Sequence, residues 1–484
     1  MTHPVKFELI QEEPGTGQVL VPFIKSDIIE TTWLVNHIPK GFNGKYKDTY
    51  QVYLSASQLQ IMLLGLGEPD QLAGAYLSFI SFCRSHCKNL ERELTVDLRH
   101  LNPSLVYQCV LGFGLADYTV GVYKTKNDQN FPLQTVRLLV ADINDELERQ
   151  LFEAQQAADV VKEICALVDA PANIKTPQYL AQWALDSARQ YDYSVTVLDH
   201  RALAAQNLQA LLAVGRGSEN RPVLISATYS HPDLDAGQVD LGLVGKGVTF
   251  DTGGISLKNP ANMHYMKCDM AGAAAVLGAM ELIARLKLPL NVVAVIPVAE
   301  NSVDAHSIRP GDVIQSHSGK SIEVIDTDAE GRLILADALS YIQRHHHPET
   351  LIDLATLTGN CVTALGYEAA GLFTQDEELA RAISEAGETS GERVWRLPLW
   401  ERYRETMDSD IADIKNLSSK PVAGAITAAK FLEYFIEDSQ RWAHLDIAGT
   451  AFGDTEYAKM KSATGYGVRL LVHFAISLIA KRTS

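Results

Sequence analysis

Three apolar runs limit what this chain can fold into: DLGLVGKGVTF at 240–250, LNVVAVIPVA at 290–299 and ETLIDLATL at 349–357. They are unbroken rather than alternating, so both faces of each strand must be covered, as in a parallel sheet with helices on either side. Helical stretches fall between them, MAGAAAVLGAMELIARLKL from 270 and GRLILADALSYIQRHHH from 331, the second closed by Pro348. The alternation predicts an α/β domain.

The earlier part of the chain is α/β in character too, mixing the strand-like ELTVDLRH, YTVGVYKT and VRLLVAD with amphipathic stretches such as SASQLQIMLLGL. From Asn144 to about Val168 apolar residues recur at helical spacing, and APANIKTP then stops the pattern with two prolines. The expected organisation is an N-terminal α/β domain over 1–150, a linker helix over 151–170, and a larger C-terminal α/β domain over 171–484. The latter is expected to hold a mixed, mainly parallel central sheet flanked by helices. A chain of 484 residues, 46% hydrophobic and 21% charged, can bury two such cores.

Charge and processing signals narrow the function. Forty-two Lys and Arg against 59 Asp and Glu leave a net charge of −17, so a broad nucleic-acid footprint is not expected. The N-terminus lacks a secretory pattern, and no apolar stretch approaches the ~20 residues that span a bilayer, which places the expected protein in the cytoplasm without a membrane partner. The six cysteines form no C-x-x-C pair and read as free, mostly buried thiols. His345, His346 and His347 suit a helix end before proline better than a metal tract.

Three segments carry charge where an α/β core should not tolerate it. In VGKGVTFDTGGISLK, Lys246 and Asp251 sit in or beside a buried strand and need partners, while Gly253 and Gly254 permit a tight turn at its end. A phosphate loop is excluded because the G-x-x-x-x-G-K-[ST] spacing is missing. In MHYMKCDMAGAAAV, Asp269 precedes a small-residue helix and has a local explanation as an N-cap. In VIDTDAEGRLILADAL, Thr327 and Glu330 fit a capping box, with Asp326 and Asp328 beside them. Each reading is adequate singly. Together, four acids (Asp251, Asp269, Asp328 and Glu330) fall at the ends of neighbouring elements, and gathered carboxylates repel unless cations intervene. Such a cluster can bridge two hard or borderline divalent ions, which lower the pKa of a shared water and polarise a carbonyl or phosphoryl oxygen. The residues alone leave open whether a peptide or a phosphate ester is hydrolysed.

These three blocks resemble the signature segments of the leucyl aminopeptidase (cytosol aminopeptidase) family, and the likeness extends to VGRGS, LIDLATLTG, ERVWRLPL and AGAITAAKFL. The resemblance implies a metallo-exopeptidase that removes the N-terminal residue of peptides with a free N-terminus. One metal would be held by Asp251, Asp328 (side chain and carbonyl) and Glu330, the other by Lys246, Asp251, Asp269 and Glu330. The ions would be manganese or zinc, with magnesium and cobalt as alternatives. Lys258 would be the electrophile and Arg332 would hold a bicarbonate ion as general base. Met266, Thr356, Gly359 and Ala448 would surround the first side chain, with the Leu357 main chain contacting substrate. It further implies a homohexamer, and it admits a DNA-binding or regulatory role beside the peptidase. A two-metal phosphoester hydrolase is the alternative enzyme class. The family most often has asparagine where Asp326 stands, which makes Asp326 a neighbour of the metals rather than a ligand.

Overall fold

The computed structural model describes residues 5–25, 42–54, 58–125, 131–235, 237–438 and 440–483. Contacts divide the chain into two units, residues 1–162 with 456–459, and residues 163–455 with 460–484. The single helix Asp145–Asp169 runs through the point of division.

The first unit is built on a six-stranded sheet in the order Lys6–Ile10, Thr135–Leu139, Glu93–Asp97, Gly17–Ile24, Leu59–Gly67, Thr49–Leu54. Its pairs are parallel except the last, an antiparallel hairpin edge. The helices Tyr76–His86 and Leu105–Leu115 pack Phe79, Phe82, Val110 and Phe113 against one face. Two expectations fail here. SASQLQIMLLGL supplies the strand Leu59–Gly67 and is not amphipathic, because its apolar run is buried from Ile61 onward on both faces; residues 55–57 lie outside the described residues. YTVGVYKT makes no strand but runs through bends and a turn, with Val122 and Tyr123 exposed, so β-propensity alone does not make a strand.

The second unit carries a nine-stranded mixed sheet. Along its main path the strands run Val394–Arg396, Ala370–Phe373, Arg441–Asp446, Thr350–Ala355, Leu241–Gly245, Val292–Asn301, Val223–Tyr229, Ser194–Leu198. Arg441–Asp446, Thr350–Ala355, Leu241–Gly245 and Val292–Asn301 form a parallel centre, and Gly247–Asp251 adds to Val292–Asn301 in the same direction. The run expected as one strand at 240–250 is therefore two. It breaks at Lys246, whose side chain is drawn toward acids. The helices Ala271–Leu286 and Glu330–His346, buried along nearly their whole lengths, cover the sheet. The two prolines after the long helix act as expected: Thr176 caps Pro177–Tyr191 by accepting from Tyr179 N, and Pro177 fills the first turn, where no N–H is needed.

Histidines 345–347 end their helix, with His347 in the left-handed region at φ 48° and His345 packed edge-on against Tyr341. All six cysteines are free. Among the described residues no helix is long and apolar enough to cross a membrane.

Candidate metal centre and active site

Five parallel strands deliver their C-terminal ends to one place, where open α/β sheets bind ligands. Lys246 follows Leu241–Gly245, Asp251 closes Gly247–Asp251, Asn301 closes Val292–Asn301, Thr356 follows Thr350–Ala355, and Asp446 closes Arg441–Asp446. Asp269 enters from the turn ahead of Ala271–Leu286, while Asp328 and Glu330 come from the start of Glu330–His346.

The side chains converge. Lys246 Nζ lies 2.9 Å from Asp269 Oδ2 and 2.9 Å from Glu330 Oε1, and donates to the Thr356 carbonyl at 3.0 Å. Lys258 Nζ lies 2.7 Å from Asp251 Oδ2 and pairs with Asp328. Carboxylate oxygens of Asp251, Asp328 and Glu330 all lie within 4.8 Å of one another. Asp251 Oδ1 is fixed by Gly253 N at 2.9 Å and Asn301 Nδ2 at 2.8 Å. The turn after it needs glycine, since Gly253 and Gly254 have φ of 85° and 64°. Gly331 serves close approach instead: a Cβ there would come within 2.4 Å of Lys246 Cε.

Four carboxylates share this point with two ammonium groups, which leaves two negative charges uncompensated. Burial first, with repulsion among the acids, holds the Asp269, Asp328 and Glu330 carboxyls well above the usual carboxylate range despite the opposing lysines. Burial alone would push Lys246 and Lys258 down, but the surrounding acids outweigh it and raise both. Glu330 Oε2 is buried without a hydrogen-bond partner. An oxygen-rich, charge-deficient cluster with an orphaned carboxylate oxygen fits divalent cations.

The local explanations for two of the acids do not hold. Met270, not Asp269, is the N-cap of its helix and makes no side-chain cap; Asp269 Oδ1 accepts from the Thr356 hydroxyl at 2.8 Å. The capping box at Thr327 is likewise not formed, because Glu330 is already the first helical residue. Thr327 Oγ1 instead donates to Gly253 O at 2.7 Å and accepts from Ser256 N at 2.8 Å, tying together the loops that carry Asp251 and Asp328. Asp326 is half-buried, and its Oδ1 accepts from Asp328 N at 2.9 Å.

A cavity of about 550 Å³ opens on the cluster and is lined by Lys246, Asp251, Lys258, Asp269, Asp328 and Glu330 together with Met266, Thr356, Leu357, Gly359 and Ala448. Arg332 is not among its lining residues. It is buried, donates from Nη1 to the Asn416 carbonyl at 2.7 Å, and leaves Nε without a partner. Burial pushes its pKa down to about 10, against the pull of Glu330, Asp326 and Asp446.

Residues 164–472 match the catalytic domain of the cytosol aminopeptidase family. The chain belongs to that family. It is a metal-dependent aminopeptidase, a hydrolase acting on peptides. A probable cytosol aminopeptidase of Syntrophotalea carbinolica is 47% identical over 461 residues, covering 90% of this chain and 89% of the relative. One from Roseiflexus castenholzii is 43% identical over 453 residues, covering 90% and 91%. Among solved structures, a mutant of tomato leucine aminopeptidase superposes with a TM-score of 0.88 at 31% identity, covering 98% of this chain and 97% of that one. The bottromycin maturation enzyme BotP in complex with Mn gives 0.82 at 32% identity, covering 95% and 99%.

In this aminopeptidase the sequence reading missed the residues that hold the site's backbone. Asn416, fully buried, accepts from Ile325 N at 2.7 Å and donates to the Asp326 carbonyl at 2.6 Å, so it shapes the loop carrying Asp328. Lys175 is fully buried and donates to the carbonyls of Val168 and Lys267, both at 2.7 Å, tying a helix end to the turn that bears Met266 and Asp269. Asn301 and Asp446 act similarly. For Asp446 a signal existed: a carboxylate inside the apolar run WAHLDIAG poses the same problem as Lys246 in its strand.

Proposed function

We propose that the enzyme binds two divalent ions, one held by Asp251, Asp328 (side chain and carbonyl) and Glu330, the other by Lys246, Asp251, Asp269 and Glu330. The observation that carries this is the convergence of four carboxylates on two lysines, with Glu330 Oε2 left unpartnered. When bound, such ions would supply Lewis acidity, lowering the pKa of a water nucleophile and polarising the scissile carbonyl. Lys246 is an ammonium while the acids alone surround it; as a ligand it must lose that proton, which neighbouring cations favour.

Lys258 is the more accessible lysine, with 22% of its side chain exposed against 4% for Lys246. It donates to the substrate carbonyl oxygen, where negative charge develops. Arg332, with an unpartnered Nε, would hold a bicarbonate ion, which would supply the general base. Met266, Thr356, Gly359 and Ala448 receive the first side chain of the peptide and the Leu357 main chain aligns it. Residues 171–484 form the catalytic domain. The working protein is a cytoplasmic homohexamer charged with manganese or zinc.

Incubation with leucyl-p-nitroanilide and with bis-p-nitrophenyl phosphate, in added manganese, tests the reading. Release from the anilide alone is expected, abolished by a chelator and restored by metal. Release from the phosphodiester alone would overturn it.

A further inference from the structure

Asp446 ends the strand Arg441–Asp446 and is fully buried. Its Oδ1 accepts from three backbone amides, Leu357 N at 3.2 Å, Thr358 N at 3.4 Å and Ala448 N at 3.2 Å. Its Oδ2 accepts from the Thr358 hydroxyl at 2.6 Å. The same hydroxyl accepts from Cys361 N at 3.1 Å, capping the helix Gly359–Leu365. The donors come from two segments distant in sequence, one following the strand Thr350–Ala355 and one following Asp446 itself. Both line the cavity beside the charged cluster.

Taking a carboxylate out of water is costly unless its oxygens are satisfied. Here the hydrogen-bond partners that offset the cost are backbone amides and a hydroxyl of the cavity wall. Three amides directed at one oxygen also fix the distance between the two segments. If the carboxylate is removed, each half-buried N–H loses its acceptor and the segments separate or reorient.

We infer that Asp446 is a positioning residue that sets the width of the pocket for the first side chain of the peptide, and so determines which N-terminal residues are accepted. This rests on the reading of Leu357, Gly359 and Ala448 as pocket residues. The Asp446 carboxylate bonds Leu357, Thr358 and Ala448 rather than a proposed metal ligand, so its loss acts on substrate fit before it acts on chemistry.

The experiment compares leucyl- and alanyl-p-nitroanilide as substrates for the metal-loaded enzyme, with metal content measured in each preparation. Asp446→Ala is expected to raise KM for the leucyl substrate about tenfold, the scale on which an apolar pocket discriminates one or two methylenes, with a smaller change for the alanyl substrate. The value of kcat and the metal content stay within about twofold, so leucyl-over-alanyl selectivity collapses. Asp446→Asn keeps one acceptor oxygen for the three amides and should recover most of that selectivity. Thr358→Val removes only the Oδ2 contact and should shift selectivity the same way by less, which keeps the inference testable if the alanine variant does not fold. Equal loss on both substrates through kcat, or loss of metal, would overturn the positioning role while leaving the aminopeptidase reading intact. A wild-type enzyme that cleaves neither anilide would overturn both.

Discussion

At Glu330 the geometry and the electrostatics meet in one side chain: Oε1 takes the Lys246 ammonium at 2.9 Å, while Oε2 is buried with no partner. Glu330→Ala should reduce bound metal and lower hydrolysis of leucyl-p-nitroanilide by more than about a hundredfold, beyond the range seen for lost outer contacts of a metal site. Circular dichroism should show the fold retained, and full activity would remove the residue from the centre. Lys258 predicts the opposite split. Lys258→Ala should leave the metals in place by elemental analysis and lower kcat by about two to three orders of magnitude, the cost of one missing donor to a developing oxyanion. Loss of metal would mean that the two lysines have exchanged roles. Asp326 is a gentler case, since the oxygen that accepts from Asp328 N at 2.9 Å exists equally in asparagine. Asp326→Asn should keep turnover and raise the metal concentration needed for half-activity, because one negative charge beside the ions is gone; a metal-free variant protein would make Asp326 a ligand. None of these roles is decided by local pattern, as Thr327 shows: its spacing to Glu330 is that of a capping box, yet its hydroxyl bridges to Gly253 and Ser256.

The helix Glu330–His346 carries the Glu330 carboxylate at its first turn and a second buried acid near its middle. Asp337 accepts from Leu211 N at 2.9 Å and His317 N at 2.7 Å, yet burial outweighs both bonds and pushes its pKa up to about 7. The unfolded chain ionises the same carboxyl near ~4, so between those values the folded state binds more protons and the stability this group contributes falls as pH rises. Asp337→Asn removes that term. The thermal midpoint of the wild-type protein should therefore exceed that of the variant by more at about pH 4.5 than at about pH 8, and a constant gap would reject the raised pKa. Elements of this kind were legible in the chain because their apolar runs are long: the helices Ala271–Leu286 and Glu330–His346 and the strands Val292–Asn301 and Thr350–Ala355 fall where the pattern puts them. Short segments were not. The strand Leu59–Gly67 and the turns at 118–125 depend on which neighbour is available for pairing, a long-range fact that no window of ten residues contains.

Across the whole molecule, the charged cluster was legible because buried charge is conspicuous in an apolar strand, whereas its scaffold was not. Asn301 and Asn416 are ordinary polar letters until the fold brings their partners within reach. Quaternary structure is a further step removed. A single chain of 53.1 kDa leaves Trp395 and Trp400 about two-thirds exposed, at 66% and 67%, with Ile411 and Val422 each at 63%. Scattered exposed aliphatics are normal on a monomer, but large aromatics left in water are a recurrent feature of surfaces that another chain covers. The proposed hexamer accounts for them if they lie between subunits. Light scattering at micromolar concentration should then give about six times the chain mass. Replacing both tryptophans with glutamate should yield a smaller species, because two charges cannot be buried unpaired across an interface. Iodide should quench tryptophan fluorescence more strongly in that species' parent with Trp395 and Trp400 intact only if the parent is monomeric. A wild-type protein that scatters as one chain, with both tryptophans open to quencher, would remove the hexamer.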